Sequence, residues 1–547
     1  MADTTFVDQV TKVPASWLNQ INREVYGVSS VADIRNLDST IYSRVRTLGY
    51  YANGGGGSGE YWHDPSDTTS ADNGCTIIKA VDNARWKLIV SGNSIDILQA
   101  GASTTLADNA AAINTAIGLG YDVTAPAGTF KTGSSIVIKG NFRGVGSELT
   151  IIQPTAVTFP AFTNSGTNRF KYIISGVKID YSVAAGGVAA TNAAACGFTY
   201  TGTVAGQYDA EFTLEDIWMI NPYTGFNDAS LSYMYSLRGV RVDGAKNGFI
   251  KSQPGTTITL EHCYANGCSV QAYNFSGVNQ LKLINCAFDN CTTSSEPVLF
   301  ATCYGVSIIG MDFESNSITM NYFGVIHFDN CSGFLIDGLR GFSNTYAIGV
   351  NEGYSIYVSA GSVGTIKNAV IGTAKESLTV TGTGVTYPIS IRDASSVFIE
   401  SSSIDTLSGG GVTARGIACS EYAADASIVE IAANCTVPTI YSISATAKVV
   451  NRALPDVSPD RLNNSVTLTV GIDSPVQIFD TPLTVNQTAT FAAFNLFNGA
   501  RFKVVRTANA TGAVTLTVNG AKALAAGQWV EYQHNGTAWF ETSFGSL

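Results

Sequence analysis

The chain has 547 residues, which is long enough for several ordinary domains or for one long repetitive domain. Charged residues make up only 13 % of it, and its 42 acidic and 31 basic side chains give a formal net charge of −11. This balance argues against nucleic acid as a partner, because neutralising phosphates requires a basic surface. The 55 glycines favour β-structure with many tight turns.

The N-terminal stretch has the features of a docking segment rather than a targeting signal. It lacks a charged-then-apolar leader, and no run of 18 apolar residues occurs in the chain, so we expect synthesis in the cytoplasm and no membrane insertion. The residues PASWLNQINREVYG predict a short amphipathic helix with Trp17, Ile21 and Val25 on one face. Such a face suits attachment to a larger particle or the core of an oligomer.

Two further local patterns follow in chain order. The glycine-rich run at 53–60 lacks the Lys-Ser/Thr ending of a phosphate-binding loop, so we interpret it as a flexible loop. Asp108 precedes the sequence NAAAINTAI, and we predict that it is the N-cap of a short helix over 109–117. This helix would cover the open end of the repetitive region that follows.

A nine-residue frame, whose places we number one to nine, recurs through the middle of the chain. Its copies begin at Leu214, Leu237, Leu260, Leu283, Ile308 and Leu335, after an earlier copy at Ile174. The intervals of 23, 23, 23, 25 and 27 residues with short alternating segments predict a solenoid. Helical repeats are excluded because no segment sustains a 3.6-residue apolar period. Leucine-rich repeats are excluded because their L-x-x-L-x-L pattern is missing. We therefore predict a β-helix whose coils stack about 4.8 Å apart.

Places one, four and six of the frame are mostly apolar and are predicted to point inward. Cys263 and Cys286 then form one interior column, and Cys268 and Cys291 form a second. We interpret most of the ten cysteines as buried thiols, because a zinc site built on C-x4-C pairs without suitable histidines is unusual. His262 is next to Cys263, but neighbouring side chains on a strand face opposite ways. No metal or other cofactor is expected.

Places five and seven are predicted to point outward and to form one exposed strip. Place five carries Lys178, Trp218, Arg241, Tyr264, Ala287, Asp312 and Leu339, and place seven carries Asp180, Ile220, Asp243, Asn266, Asp289, Glu314 and Gly341. Aromatic rings stack on sugar faces and polar groups hydrogen-bond to hydroxyls, so the strip favours polysaccharide binding. The predicted substrate-binding residues are Trp218, Arg241, Asp243 and Tyr264.

The carboxylates of the strip suggest a reaction. Asp289 and Glu314 occupy the same place on neighbouring coils, with Cα atoms predicted about 5 Å apart, and Asp312 is two residues before Glu314 on the same face. Glycosidases pair a carboxylic acid with a carboxylate, and crowding keeps one of the two protonated. We predict Glu314 as the acid and Asp289 or Asp312 as its partner. Capping of coil turns is the alternative role for such residues, and Glu296, between two coils, is a further candidate.

Three segments carry a resemblance to a known family. The segment 106–152, with its short helix, its Pro126-Ala127-Gly128 sequence and its turn at Gly144 and Gly146, resembles the start of pectate-lyase-like right-handed β-helices. The family's usual GA-x-G-D-G before this helix is replaced by GASTTLAD. The segment 59–88 is similar to the small β-rich module that precedes the helix in bacteriophage tailspikes. The segment 500–547, with hairpin signals at ATG and HNG, resembles a tailspike C-terminal β-sandwich.

The resemblance implies an all-β, homotrimeric tailspike located in the virion and made in the host cytoplasm. Its expected domains are a virion-attachment region at 1–95, a glycan-binding and catalytic right-handed parallel β-helix at 96–454, and a C-terminal β-sandwich for trimerisation or carbohydrate binding at 455–547. The sequence LPDVSPD provides the linker before the sandwich. The implied activity is endo-acting hydrolysis of host capsular or O-antigen polysaccharide, with the N-terminus attached to the phage tail or baseplate.

Other functions fit parts of the same pattern. A polysaccharide lyase needs a base beside a uronic acid and often Ca²⁺. The lyase Ca²⁺ cluster of several aspartates with a nearby arginine is not clearly matched, and Arg241 beside Asp243 is only a hint of it. An O-acetyl esterase would usually carry a G-x-S-x-G turn, which is missing from the sequence. A non-catalytic adhesin would also use aromatic residues and carboxylates. Whether the site lies within one chain or between subunits stays open at this point.

Overall fold

The structure is a computed structural model that describes most of the chain. The described residues are 26–164, 166, 169–204, 208–419, 425–438, 440–441, 447–493, 496 and 498–547. The predicted amphipathic helix with Trp17, Ile21 and Val25 lies outside them. The chain divides between Lys246 and Asn247 into two compact units. Within the described ranges, no helix is both long enough and apolar enough to span a membrane.

The first unit begins with a small five-stranded sheet. Its strands are Tyr26–Val28, Arg44–Thr47, Glu60–His63, Ile77–Lys79 and Arg85–Leu88. The first two strands pair in parallel and the other pairings are antiparallel. Tyr61 and Trp86 are fully buried in its core, and a capping box at Ser30 starts the short helix Val31–Ile34.

The glycine-rich run, predicted as a flexible loop, is exposed at residues 53–55 but packs against Leu98 at Gly56 and Gly57. Gly57 has φ +71°, and a Cβ atom on it would lie 2.1 Å from the carbonyl oxygen of Leu98. Position 57 therefore requires glycine because the backbone at Leu98 approaches too closely for a Cβ atom, and not because the loop has to be flexible.

The remainder of the first unit consists of parallel strands stacked coil upon coil. One sheet contains Ser94–Asp96, Asp122–Ala125, Gly128–Thr132, Phe142–Gly144, Thr150–Pro154, Ile173–Asp180, Thr213–Ile220 and Tyr235–Asp243. A second sheet contains Ile136–Ile138, Phe162–Asn164, Cys196–Gly202 and Thr224–Ser230, and the strands Arg169–Phe170 and Asp209–Ala210 form a separate pair. Leu214 pairs with Leu237, which confirms the 23-residue frame in this unit.

Two short helical segments precede these coils. They are the 3₁₀ segment Ile97–Ala100 and the α-helix Ala110–Gly118. The N-cap of the α-helix is Asn109 and not Asp108 as predicted. The Asp108 carboxylate nevertheless accepts hydrogen bonds from the N–H groups of Ala110 and Gly133, so it ties the helix to the first coils.

The second unit continues the same architecture with three parallel sheets. The first contains Gly255–Glu261, Tyr264–Asn266, Val278–Ile284, Ala287–Asp289, Tyr304–Glu314, Ser332–Phe342, Val363–Lys367, Val370–Ile371, Ser396–Glu400, Ser403–Ile404, Ile428–Ile431 and Lys448–Asn451. The second contains Thr292–Thr293, Ser317–Met320, Thr345–Ile348 and Thr379–Gly382. The third contains Asn247–Lys251, Gln271–Ser276, Val298–Ala301, Phe323–Asp329, Glu352–Ser359, Val385–Ile391, Thr413–Ala414, Ile417–Cys419 and Ile440–Tyr441. These stacked parallel sheets confirm the predicted parallel β-helix.

The interior columns lie where the frame predicts them. Cys263 and Cys286 are each 1 % exposed, and Cys268 and Cys291 are fully buried. All ten cysteines are free thiols. Place three, occupied by His262 and Asn285, has positive φ, so the chain bends there and place four turns inward.

The last copy of the frame is shifted by one residue from the prediction. Ile308 pairs with Ile336 rather than with Leu335, and Asp312 pairs with Arg340. Leu339, predicted to face outward, is therefore an interior residue with 2 % exposure. The extra residue in this longer coil moves the register, which alternation alone could not reveal.

The C-terminal region forms the predicted sandwich of two sheets. One sheet contains Val457–Asp460, Val476–Phe479, Arg501–Arg506, Gln528–His534 and Trp539–Ser546, and the other contains Val466–Leu468, Gln487–Phe491, Leu516–Val518 and Lys522–Leu524. Phe479, Phe502 and Val530 are buried in its core. The first three strands of each sheet pair in parallel and only the later strands pair in antiparallel fashion. The first part of this region therefore consists of parallel strands in two facing sheets, and the last part consists of antiparallel strands.

Candidate functional site

Four of the predicted site residues lie side by side on the first sheet of the second unit. Tyr264 pairs with Ala287, which pairs with Asp312, and Asp289 pairs with Glu314. Asp312 is exposed and the other three are partly exposed. We call Tyr264, Asp289, Asp312 and Glu314 the carboxylate strip.

Asp289 is at the centre of the hydrogen bonds in the carboxylate strip. Its Oδ1 accepts the backbone N–H of Glu314 at 2.8 Å, and its carboxylate accepts the Tyr264 hydroxyl. Burial raises the pKa of Asp289, and the charge of Asp312 raises that pKa further, against the lowering effect of these two hydrogen bonds. Asp289 therefore keeps its proton to a higher pH than a free aspartate does.

The backbone explains why these carboxylates are crowded. Equivalent residues on neighbouring coils are about 4.8 Å apart at Cα, and residues two apart on one strand face the same side at roughly 6.6 Å. Glu314 is related to Asp289 in the first way and to Asp312 in the second. The arrangement thus provides an acid with a raised pKa and two further carboxyl groups on the neighbouring strand, on the same face.

The other predicted binding residues form a separate group in the first unit, which we call the Trp218 cluster. The indole N–H of Trp218 donates to Asp243 at 2.5 Å, and Arg241 Nε donates to the same carboxylate oxygen at 2.6 Å. The Nζ atom of Lys178 lies 4.0 Å from the centre of the Trp218 ring. Arg241 Cζ lies 5.3 Å from the same centre, and Lys178 and Arg241 pair with Trp218 from the two neighbouring strands, so cations flank the ring and leave it less open for stacking on a sugar.

A groove that the sequence did not predict lies on the first sheet of the second unit. It has a volume of about 700 Å³ and is lined by Phe334, Leu335, Val363, Thr365 and Phe398, among others. Leu335 pairs with Ser307, five residues before Asp312 on the strand Tyr304–Glu314, so the groove lies one coil beyond this strand and is displaced along it from the carboxylate strip.

An ion pair between Lys367 and Asp337, at 2.9 Å, lies along this groove. Apolar walls with a few polar groups are typical of ligand sites. Phe398 pairs with Thr365, and this register places its side chain on the outer face. The sequence did not predict this register because the repeats in this part of the chain are irregularly spaced.

A second cluster, on the third sheet of the same unit, combines Glu296, a candidate from the sequence, with His327 and Ser359, which the sequence did not indicate. Ser359 Oγ lies 2.9 Å from His327 Nε2, and Glu296 Oε1 lies 3.5 Å from His327 Nδ1. The imidazole stacks on the Tyr357 ring with centroids 4.4 Å apart. We call Glu296, His327 and Ser359 the His327 cluster. Its members are about 30 residues apart in sequence and share no local motif, so only the stacking of coils brings them together.

Comparison with known proteins gives one domain match. Residues 27–91 match the sequence model of the phage tail protein small four-stranded beta-sheet domain. This confirms the predicted resemblance of the N-terminal module to the module of phage tail proteins.

Several of the similar solved structures are tailspikes. The tailspike gp42 of Acinetobacter phage vb_AbaP_AS12 is 14 % identical with a TM-score of 0.49, and covers 96 % of this chain and 94 % of its own. The tailspike of Acinetobacter phage vB_ApiP_P1 is 13 % identical with a TM-score of 0.44, over 95 % and 91 %. The enzymatically active domain of bacteriophage CBA120 tailspike protein 2 is 15 % identical with a TM-score of 0.41, over 92 % and 64 %. Likeness at this level assigns no activity to the chain.

Proposed function

We propose that this chain, a phage tail protein with a pectate-lyase-like parallel β-helix, is a tailspike that binds and hydrolyses capsular or O-antigen polysaccharide of the host. The observation that supports this most directly is the carboxylate strip, where three carboxyl groups and a tyrosine share one solvent-facing surface on adjacent strands. An acid and a carboxylate on one face are the two groups that glycosidic hydrolysis requires.

The raised pKa of Asp289 assigns it the role of general acid in this proposal. Protonated Asp289 would donate to the glycosidic oxygen, while Glu314 or Asp312 would act as nucleophile or as the base that activates water. This differs from the sequence-based prediction, in which Glu314 was the acid. Burial of Asp289 and the charge of Asp312 favour Asp289, rather than Glu314, as the general acid.

The 700 Å³ groove supplies a place for the flanking sugars. Leu335 and Phe398 offer apolar surface to sugar C–H faces, and Lys367 and Asp337 offer polar contacts beside them. In this proposal the polysaccharide crosses the first sheet obliquely, from the carboxylate strip towards the groove, because Leu335 is opposite Ser307 and not opposite Asp312. The Trp218 cluster, whose charges already pair with each other, contributes less to binding than its composition suggested.

We further propose that the chain acts as a homotrimer in the virion, attached to the phage tail through its N-terminal region. The phage tail domain at residues 27–91 supports the attachment. Light scattering of the purified full-length chain measures the subunit number directly, and a monomeric mass would contradict the trimer.

The function is tested by incubating the full-length protein with purified host polysaccharide and following chain length by gel filtration. We expect depolymerisation with saturated products, since hydrolysis introduces no double bond. Ultraviolet-absorbing unsaturated products would instead identify a lyase. Binding without any change in chain length would identify an adhesin.

Variants then locate the site. Asp289→Asn, Asp312→Asn and Glu314→Gln are compared with Glu430→Gln, which removes a carboxylate of the same sheet that pairs with Arg452. The carboxylate strip is excluded as the catalytic site if the first three variants, properly folded, all cleave as fast as the control.

A further inference from the structure

The His327 cluster arises from the stacking of the third sheet. Leu299 pairs with His327, which pairs with Tyr357, and Asp329 pairs with Ser359. His327 and Ser359 therefore lie on adjacent strands, two residues out of register, with both side chains on the same face. Glu296 reaches the other side of the imidazole from the segment just before the strand Val298–Ala301.

The charges around the imidazole fix its tautomer. Burial raises the pKa of Glu296, but the interactions with His327 and a backbone hydrogen bond together outweigh this effect, and the pKa of Glu296 lies below its ordinary value. An ionised carboxylate beside Nδ1 holds the proton on that nitrogen and leaves Nε2 as an acceptor. The 3.5 Å separation is long for a hydrogen bond, as is common for such pairs before a substrate is bound.

Ser359 has two possible hydrogen-bond acceptors near its hydroxyl, and they differ in their distance from Ser359 Oγ. His327 Nε2 lies at 2.9 Å and Asp329 Oδ1 at 3.5 Å, so the hydroxyl proton is directed to the imidazole. The stacked Tyr357 ring fixes the plane of the imidazole in this orientation. Ser359 ends its strand, and the next two residues, Ala360 and Gly361, have positive φ, so the serine stands at a sharp turn.

We propose that Ser359, His327 and Glu296 form a nucleophile, base and orienting acid that remove O-acyl groups from sugars. Serine, histidine and carboxylate in this order of contacts constitute an acyl-transfer triad, which is recognised by geometry and not by sequence motif. The activity is an esterase function distinct from the glycosidic cleavage proposed for the carboxylate strip.

The reaction balances with water as the only co-reactant. Ser359 Oγ attacks the ester carbonyl carbon while its proton passes to His327 Nε2. The bond between the acyl carbon and the sugar oxygen breaks, and that oxygen takes the proton from Nε2. Water then attacks the acyl-serine, loses its proton to Nε2, and the free carboxylic acid leaves as Ser359 regains its hydroxyl proton.

Burial limits the size of the acyl group. Ser359 is 5 % exposed, whereas the side chains of His327 and Glu296 are 13 % and 24 % exposed. A small acyl group such as acetyl fits this restricted access better than a long chain does. Tyr357, which is partly exposed beside His327, provides an aromatic surface for the sugar that bears the ester.

The test uses the full-length protein with p-nitrophenyl acetate and with a small fluorophosphonate that labels activated serines. We expect ester hydrolysis and a single covalent label on Ser359, located by mass spectrometry of peptides. Ser359→Ala and His327→Ala should lower the hydrolysis rate at least about 100-fold and prevent labelling. Glu296→Gln, which changes a positioning residue, should lower the rate and move the pH profile.

The matched control is Ser276→Ala. Ser276 lies in the same column of the third sheet, where it pairs with Ala301, which in turn pairs with Asp329. This control should keep the wild-type rate and the label. Equal ester hydrolysis in folded Ser359→Ala protein, or no label on Ser359, overturns the inference. Polysaccharide chain length is measured on the same samples, so that failure of the esterase proposal is distinguished from failure of the hydrolase proposal.

Discussion

The carboxylate strip and the His327 cluster belong to the same unit of the chain but differ in how the sequence encodes them. Asp289 and Glu314 are 25 residues apart in a frame that repeats almost without change, so their alignment follows from the period. His327 and Ser359 lie where the coils have lengthened to about 30 residues, and no repeat predicts their contact. When the coil length is nearly constant, the sequence predicts which residues stack on each other in neighbouring coils. When the coil length varies, it does not.

The two sites also differ in the physical state of their groups. The carboxylate strip faces solvent, and mutual charge and partial burial set the protonation of Asp289. In the His327 cluster, Ser359 is almost fully buried and lies 2.9 Å from the imidazole, so its hydroxyl is positioned by neighbours in space rather than by solvent. The first arrangement suits proton donation to a long polymer, and the second suits attack on a small group.

Replacing the proposed general acid, Asp289, should give the largest difference between the activities of the two sites. Asp289→Asn cannot donate a proton, so we expect kcat for polysaccharide cleavage to fall by about 10²- to 10⁴-fold. The same variant should hydrolyse p-nitrophenyl acetate at the wild-type rate, and Ser359→Ala should show the reverse pattern. Parallel loss of both activities in either folded variant would show that the sites are not independent.

A buried carboxyl group outside both sites, in the same unit, should affect stability instead of activity. Glu376 is 1 % exposed, and burial raises its pKa to about 7 from 4.5. Because the folded state binds the proton more tightly, stability is full below pH 4.5 and decreases as pH rises towards 7, by on the order of 3 kcal/mol.

Glu376→Gln should remove this decrease, because glutamine does not titrate. The melting temperature, measured between pH 4.5 and 8, should decline less in the variant than in the wild type. An identical decline in both proteins would mean that Glu376 is not the group responsible. Polysaccharide cleavage at a temperature where both are folded should be unaffected.

The hydroxyl of Tyr264 should have a smaller, directional effect on the carboxylate strip. Its hydrogen bond lowers the pKa of Asp289, so Tyr264→Phe should raise that pKa and move the alkaline limb of the cleavage profile to higher pH. The expected displacement is less than about one pH unit. The measurement is kcat against pH, with ester hydrolysis as an internal reference that should keep its profile.

Asp312→Asn should displace the same limb in the opposite direction and by the smallest amount. The negative charge of Asp312 raises the pKa of Asp289, so its removal should move the alkaline limb to lower pH. A displacement to higher pH would contradict the proposed coupling. A loss of nearly all activity would assign Asp312, rather than Glu314, as the partner carboxylate.

Sequence patterns located much of the fold but not all of its contacts. The inward positions of Cys263 and Cys286 and the pairing of Asp289 with Glu314 were predicted from alternation within a constant frame. The shift to Ile336 was missed because one added residue moves a coil without altering its composition. Phe398 and Ser359 were missed because the later coils have no shared spacing.

By itself, the sequence determined the stacked parallel coils, their buried thiol columns and the phage tail domain, since each depends on residues that are near neighbours in a repeating pattern. Only the tertiary structure decided that Asp289 has the raised pKa, that Lys178 covers Trp218, and that Glu296, His327 and Ser359 meet. The physical reason is that burial, charge and hydrogen-bond geometry depend on neighbours in space. In a solenoid those neighbours are one coil away, at a sequence distance that the loops are free to change.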